Sequence, residues 1–149
     1  MDKIFDEFFN LLLFVEGEES KHKNDRGGHT KYGITQYLYN RIQDKQKLPR
    51  QSVSELTIEA AKEIYKKEFF AVVTPLQDKE RYYNYFDMCV NSGQGNYSKL
   101  VAANPPNVYQ WRRDFFDRIV ENDLTQKCNL KGWYNRLAKI KNYFNKENS

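Results

Sequence analysis

Two acidic residues near the start of the chain have the spacing and surroundings that acid–base chemistry requires. Glu16 continues the apolar stripe of one helical face, so its carboxyl group is expected to point toward the packed side of that helix. Burial disfavours the charged form of a carboxyl group, and a general acid needs its proton near neutral pH. Asp25 follows in a polar segment with several glycines, where we expect an ionised carboxylate.

Thr30 is the third residue of this candidate set. If Gly27 and Gly28 form a two-residue hairpin turn, Asp25 lies opposite Thr30, with Cβ atoms about 5 Å apart. The pair could then hold one water, although a register slip of one residue would separate them. Inverting glycoside hydrolysis needs such a set, because one acid protonates the leaving oxygen while a carboxylate about 6.5–9.5 Å away activates water.

The elements that must position these residues are mostly helical. Apolar residues at helical spacing predict a first helix that ends near Glu16. Further helices are predicted at 36–44 after an N-cap at Thr35, from a cap at Thr57 to Phe69, and at 82–91, 108–119 and 132–144. Residues 18–34 lose this periodicity, and we predict a hairpin lobe there that forms one wall of a cleft. The fold class is therefore mainly α, with a small β-hairpin lobe.

Composition limits the alternatives. The chain has 149 residues, 40% of them hydrophobic, which predicts one folded domain and argues against disorder. No apolar run approaches the ~20 residues that span a bilayer. The net charge of +4 suits an anionic partner without identifying one. Cys89 and Cys128 are expected to be two buried thiols, and a disulfide between them stays open.

The segments around the candidate residues resemble a known family. Glu16-Gly17 and the block from Asn24 to Thr35 are similar to the signature of glycoside hydrolase family 108, bacterial and phage N-acetylmuramidases that cut peptidoglycan. Phe86-Asp87 and Val90 to Gly93 are similar to its mid-chain helix. Gly132 to Arg136 is similar to a C-terminal segment usually described as peptidoglycan-binding.

Two positions depart from the pattern of that family. Glu18 stands where a second glycine usually follows the glutamate, and Arg26 stands where a proline usually follows the aspartate. Both departures leave the ionisable groups in place. They leave open which conformation the loop adopts and which of Glu16, Glu18 and Glu19 is the general acid.

The order of Glu16, Asp25 and Thr30 also resembles the catalytic triad of phage-type lysozymes, and this resemblance implies a role for each residue. Glu16 would be the general acid, Asp25 the carboxylate that activates or orients water, and Thr30 the hydroxyl that positions it. Asn91 in the mid-chain block and Tyr32 are the candidate substrate-binding residues, with packing as the alternative for Tyr32. No cofactor or metal is expected, because this cleavage needs only two carboxyl groups and water.

The resemblance also implies an organisation and a setting. We expect one lysozyme-like domain over residues 1–149, with a catalytic part at 1–103 and a C-terminal helical segment at 107–147. The acidic start Met1-Asp2-Lys3 does not suit a signal peptide, so we expect cytoplasmic synthesis. The expected partner is bacterial peptidoglycan, without nucleic acid or membrane insertion, and the protein is expected to be a monomer. It would reach the wall as an endolysin released by a holin or as part of a virion, and a host enzyme is the alternative.

Other functions and roles stay open. A lytic transglycosylase needs one acid and no water, and a wall-binding module needs neither. A nucleic-acid binder is disfavoured because acidic residues are interspersed with the basic ones. His22 and His29 could suggest a zinc amidase, but no third ligand has suitable spacing. Asp87 is expected to be a buried aspartate that accepts backbone hydrogen bonds, and Trp111 and Trp133 are expected to be structural.

Overall fold

The computed structural model describes residues 2–16, 19–20 and 30–148, which are mainly α-helical with one small sheet. The helices are α1 (Asp2–Glu16), α2 (Gln36–Lys45), α3 (Ile58–Glu68), α4 (Lys79–Ser92), α5 (Gln94–Ala103), α6 (Val108–Asn122) and α7 (Lys127–Glu147). The strands β1 (Glu19–Ser20), β2 (Thr30–Lys31) and β3 (Ile34–Thr35) form an antiparallel sheet in the order β1-β2-β3. The predicted mainly α class with a small β element is confirmed.

The chain divides into two compact units, Met1–Glu68 and Phe69–Ser149. The expected single domain, with parts at 1–103 and 107–147, stays a prediction. Over the part of the chain that the structure describes, no helix combines the length and the apolar character needed to cross a membrane.

In the first unit, α1 and α3 pack through apolar side chains. Phe5, Phe8, Phe9 and Leu12 are all buried, as the stripe predicts, because residues three and four apart share one helical face. Leu13 differs from the prediction, since it is only half-buried while its neighbour Leu11 is buried. Aromatic packing joins the helices, with 5.9 Å between the ring centroids of Phe9 and Tyr65. The direction of α1, and therefore the place where it ends, is fixed by this contact.

Two predicted helix caps are confirmed in the first unit. The Thr35 hydroxyl accepts a hydrogen bond from the Leu38 amide at 3.0 Å at the start of α2. The Thr57 hydroxyl accepts one from the Ala60 amide at 3.1 Å at the start of α3. Each cap satisfies a backbone N–H that has no partner within its helix.

The second unit differs more from the prediction. Helix α5 was not predicted, because its segment holds a glycine and buries only Tyr97 and Leu100. It ends at Asn104, whose φ of 43° is left-handed, directly before two prolines. Helix α7 begins at Lys127, five residues before the predicted start, so Gly132 lies inside it.

The cysteines also differ from the prediction. Both are free thiols, and Cys89 is buried as expected, but Cys128 is exposed. Cys128 is the second residue of α7, on a side that faces solvent, so the expectation of two buried thiols is wrong for it.

Candidate active site

Glu16 is the last residue of α1, and its side chain is half-buried. The sequence predicts this position correctly, because the apolar stripe of α1 runs toward its C-terminal end. The packing of α1 against α3 therefore determines where the carboxyl group of Glu16 lies within the first unit.

A tight turn between β2 and β3 lies against Glu16. Pairing of Thr30 with Thr35 and of Lys31 with Ile34 leaves Tyr32 and Gly33 as a two-residue turn. Their φ angles are 54° and 81°, and positive φ at both central positions is the requirement of a type I′ hairpin turn. The sequence predicted a turn at Gly27-Gly28, which lies outside the described residues, and it missed this one. The signal for it was a glycine between two short alternating segments.

Gly33 brings the turn into direct contact with the carboxyl-bearing side chain. A Cβ atom at this position would lie 3.0 Å from both Cγ and Cδ of Glu16 and 2.6 Å from the hydroxyl oxygen of Tyr65. No larger residue fits without displacing these groups. The turn backbone therefore packs on Glu16 from one side while α1 holds it from the other.

Tyr65 connects this turn to α3. Its ring is buried, and its hydroxyl donates a 2.6 Å hydrogen bond to the carbonyl oxygen of Tyr32. The same ring contacts Phe9 of α1. Glu16, the turn and Tyr65 therefore form a closed set of contacts among α1, α3 and the sheet. Sequence reasoning placed Tyr65 on an apolar stripe and had no signal for the role of its hydroxyl.

Thr30 lies on the central strand of the sheet, half-buried. Across from it are Ser20 of β1 and Thr35 of β3. Glu19 pairs with Lys31, and this register puts Ser20 opposite Thr30, whereas the predicted pairing of Asp25 with Thr30 involves a residue that the structure does not describe. Asp25 itself lies outside the described residues, so its role stays a prediction.

The candidate substrate-binding residues belong to different units. Tyr32 is half-buried in the turn, and the Lys31 ammonium lies 5.3 Å from its ring centroid while donating to the Ser54 carbonyl. Asn91 belongs to α4 in the second unit, where its amide donates to the Ser92 hydroxyl at 3.3 Å. The structure thus brings the Tyr32 turn and Glu16 together within one unit.

Asp87 is buried, as predicted, but side chains rather than backbone amides satisfy it. It accepts hydrogen bonds from Arg112 at 2.7 Å, from Arg136 at 2.8 Å to each of its oxygens, and from the Tyr83 hydroxyl at 3.0 Å. Burial alone would raise the pKa of Asp87, but the positive charges of Arg136 and Arg112 outweigh it and lower the pKa to about 2. Asp87 is therefore a structural anion and not a proton donor.

No group of three or more His, Cys, Asp or Glu side chains is arranged to hold a metal ion within residues 2–16, 19–20 and 30–148. His22 and His29, which suggested a zinc site, lie outside these ranges.

The fold and the site together define a class. A mainly helical chain whose first helix ends in a carboxyl group against a small sheet has the architecture of a lysozyme-like fold. The family model of glycosyl hydrolase 108 matches residues 9–93, more than half of the chain, and the protein belongs to this family. It is accordingly a peptidoglycan hydrolase. No curated protein and no solved structure matches the chain.

The matched range contains all the candidate residues and ends at Gly93, one residue after the end of α4. The block from Gly132 to Arg136, which resembles a C-terminal segment, lies beyond it. Residues 94–149 therefore carry no family assignment.

Proposed function

We propose that the protein is an N-acetylmuramidase that hydrolyses the β-1,4 bond between N-acetylmuramic acid and N-acetylglucosamine, with Glu16 as the general acid. The observation that carries this proposal is the contact of the Glu16 side chain with the backbone of Gly33. A carboxyl group held between a helix end and a glycine turn has a fixed position, which proton transfer to a leaving oxygen requires.

The second half of the reaction is assigned to Asp25 and Thr30. Asp25 is proposed as the carboxylate that activates water, and Thr30 as the hydroxyl that positions this water. Their support is the resemblance of the sequence around them to the family signature. Thr30 also lies on the strand that leads directly into the turn at Glu16, which suits a supporting role.

Substrate binding and setting complete the proposal. Tyr32, next to Gly33 in the turn, is proposed to contact a sugar near Glu16, and Asn91 is proposed as a further contact.

We also propose that the enzyme acts as a monomeric phage lysin that is released by a holin or carried in the virion. The family resemblance supports this setting.

The test is digestion of purified sacculi by the full-length protein and by Glu16→Gln, with the released products identified by mass spectrometry. The wild type should release fragments with reducing N-acetylmuramic acid ends. The variant should be about 10²–10⁴-fold slower, because the amide cannot donate the proton. Glu59→Gln is the matched control, since Glu59 is an exposed glutamate in the same unit, and it should keep full activity.

Each other outcome rejects a specific part of the proposal. Anhydro-muramic ends would identify a lytic transglycosylase, and reducing N-acetylglucosamine ends would identify the other glycosidic bond. Full activity in Glu16→Gln would remove Glu16 from the mechanism. Sacculi that stay intact with the wild type but bind it would make the protein a wall-binding module.

A further inference from the structure

Thr35 lies directly opposite Thr30 in the sheet. The register pairs the two residues across β2 and β3, and paired residues have side chains on the same face with Cβ atoms about 4.5–5.5 Å apart. Both threonines are half-buried, whereas Ile34 on the other face is fully buried. The face of the sheet opposite Ile34 therefore carries two neighbouring hydroxyl groups, and only that of Thr30 has a proposed role in the chemistry.

Hydrogen bonding at the start of α2 leaves the proton of the Thr35 hydroxyl available. The hydroxyl oxygen accepts the N-cap hydrogen bond from the Leu38 amide at 3.0 Å. A hydroxyl group has one proton to donate and two lone pairs to accept, so the cap uses a lone pair alone. Among residues 2–16, 19–20 and 30–148, the Leu38 amide is the hydrogen-bond partner of this hydroxyl. The cap thus holds the Thr35 side chain in place while its proton can still be donated to a ligand or to water.

The two hydroxyl groups belong to the hairpin whose turn packs on Glu16. Thr35 comes two residues after Gly33, and two residues of strand span about 7 Å. An inverting glycosidase needs a gap of about 6.5–9.5 Å between its general acid and the group that activates water. One hairpin therefore supports the acid at its turn and carries two hydroxyl groups at a distance of that order.

A water molecule that attacks a sugar needs a fixed orientation. Ordered waters inside proteins make about three hydrogen bonds. In the proposed function, one proton of the water goes to the general base and the other is donated to the Thr30 hydroxyl. A hydrogen bond from Thr35 to one lone pair of the water makes the third contact, so the remaining lone pair points in one direction.

We propose that Thr35 is a further catalytic residue, whose hydroxyl donates a hydrogen bond to the attacking water beside Thr30. This inference rests on the proposed function, because it needs a hydrolytic step. In that step the water oxygen bonds to the anomeric carbon while the glycosidic bond breaks. Glu16 gives its proton to the leaving oxygen, and the general base takes a proton from the water. Thr35 orients the water and transfers no proton.

The first test compares Thr35→Ala with Thr57→Ala in the full-length protein, with soluble uncrosslinked peptidoglycan strands as substrate. Each variant removes an N-cap of the first unit, since the Thr57 hydroxyl accepts from the Ala60 amide at 3.1 Å. Both should lower the unfolding temperature by a similar amount. Only Thr35→Ala should lower kcat at least tenfold, with KM within twofold, because a misplaced reacting group slows the reaction. Equal kcat values in the two variants would overturn the proposal.

A second pair of variants separates capping from hydrogen-bond donation. Aspartate is as good an N-cap as threonine, so Thr35→Asp should keep the unfolding temperature. An ionised carboxylate has no proton to donate, so kcat should stay at least tenfold below that of the wild type. Thr57→Asp adds the same charge to the same unit and should keep kcat within twofold, whereas Thr35→Ser keeps both cap and proton and should recover most of the rate. A wild-type kcat in Thr35→Asp would limit Thr35 to capping and overturn the proposal.

A double-mutant cycle tests whether the two threonines hold the same water. The kcat loss of Thr30→Ala combined with Thr35→Ala should be smaller than the product of the two single losses, because the first change already frees the water. Thr30→Ala combined with Thr57→Ala should give the full product. Independent losses for Thr30 and Thr35 would contradict the proposal.

An activated substrate separates this inference from the assignment of Glu16. With the 4-nitrophenyl β-glycoside of a muramyl disaccharide, the leaving group needs no proton, so Glu16→Gln should recover activity while Thr35→Ala stays slow. Recovery in Thr35→Ala as well would overturn the proposal. If the wild type digests sacculi, Glu16→Gln is inactive and Thr35→Ala matches Thr57→Ala, the inference alone fails. Sacculi left intact by the wild type would reject the proposed function and the inference together.

Discussion

Glu16 in the first unit and Asp87 in the second are both acidic residues that continue an apolar helical stripe, yet their surroundings differ. Asp87 is completely buried and accepts hydrogen bonds from two guanidinium groups and a phenol. Glu16 is half-buried at a helix end, where the backbone of Gly33 packs on its side chain. A periodic stripe therefore identifies a carboxyl group on the packed side of a helix but does not reveal which groups contact it.

The cluster around Asp87 shows how the fold tolerates buried charge. One carboxylate faces the two guanidinium groups of Arg112 and Arg136, and the Asn84 side chain accepts a further hydrogen bond from Arg112 at 3.0 Å. The Nε of Arg112 is buried without a hydrogen-bond partner. Asp87 is the carboxylate that both guanidinium groups contact, so the cluster depends on it. The charge of Asp87 serves packing among α4, α6 and α7, whereas the position of Glu16 is the one that we propose to serve proton transfer.

Asp87→Asn should have the largest effect on stability. Loss of the carboxylate removes the anion that pairs with both Arg112 and Arg136, and removal of one partner of a buried ion pair costs about 3–5 kcal/mol. Chemical denaturation should show this loss in the free energy of unfolding. The control Asp114→Asn removes an exposed aspartate of α6 and should change stability by less than about 0.5 kcal/mol. Equal effects in both variants would contradict the role assigned to the cluster.

Gly33→Ala should be next in size and should also affect catalysis. The φ of 81° strains any other residue, and the new Cβ would contact Tyr65 and Glu16, so we expect a loss of about 2–3 kcal/mol. Sacculus digestion should fall at least tenfold at a temperature where the variant stays folded. Gly132→Ala is the matched control, because its Cβ meets open space inside α7 and should stabilise the protein by about 0.5–1 kcal/mol. Full activity in Gly33→Ala would show that the turn does not position Glu16.

The sequence predicts the features that depend on local periodicity and capping. The burial of α1, the end of this helix at Glu16 and the caps at Thr35 and Thr57 all follow from residues close together in the chain. Helix α5 escapes prediction because only two of its residues are buried, which leaves no stripe to detect.

The features that sequence analysis misses depend on contacts distant in the chain. The strand register that puts Ser20 opposite Thr30 is set by a pairing across ten residues. The guanidinium partners of Asp87 lie 25 and 49 residues away. The hydrogen bond from Tyr65 to the Tyr32 carbonyl spans 33 residues. In each case the residue type is visible in the sequence, but its partner is decided by tertiary packing.

The pH dependence of stability should reveal the charge of Asp87. Its pKa in the folded state is lowered from 3.8 to about 2, so the folded state favours the ionised form. This contribution, about 2 kcal/mol, is fully present above the unfolded pKa and is lost as the pH falls through about 2. The difference in unfolding free energy between wild type and Asp87→Asn should be constant above pH 5 and should shrink below pH 4. A constant difference down to pH 2 would contradict the assigned charge state.

Tyr65→Phe should have the smallest effect on stability, and it tests whether the Tyr65 hydroxyl holds the turn against Glu16. Loss of the hydroxyl removes the hydrogen bond to the Tyr32 carbonyl and should cost about 1 kcal/mol. If that bond holds the turn on Glu16, kcat should fall several-fold with little change in KM, well below the unfolding temperature. Tyr39→Phe is the control, since its hydroxyl makes only a 3.4 Å contact with Gln51 in the same unit. A loss of stability without a change in kcat would restrict Tyr65 to packing, because the turn would then keep its place through Gly33 alone.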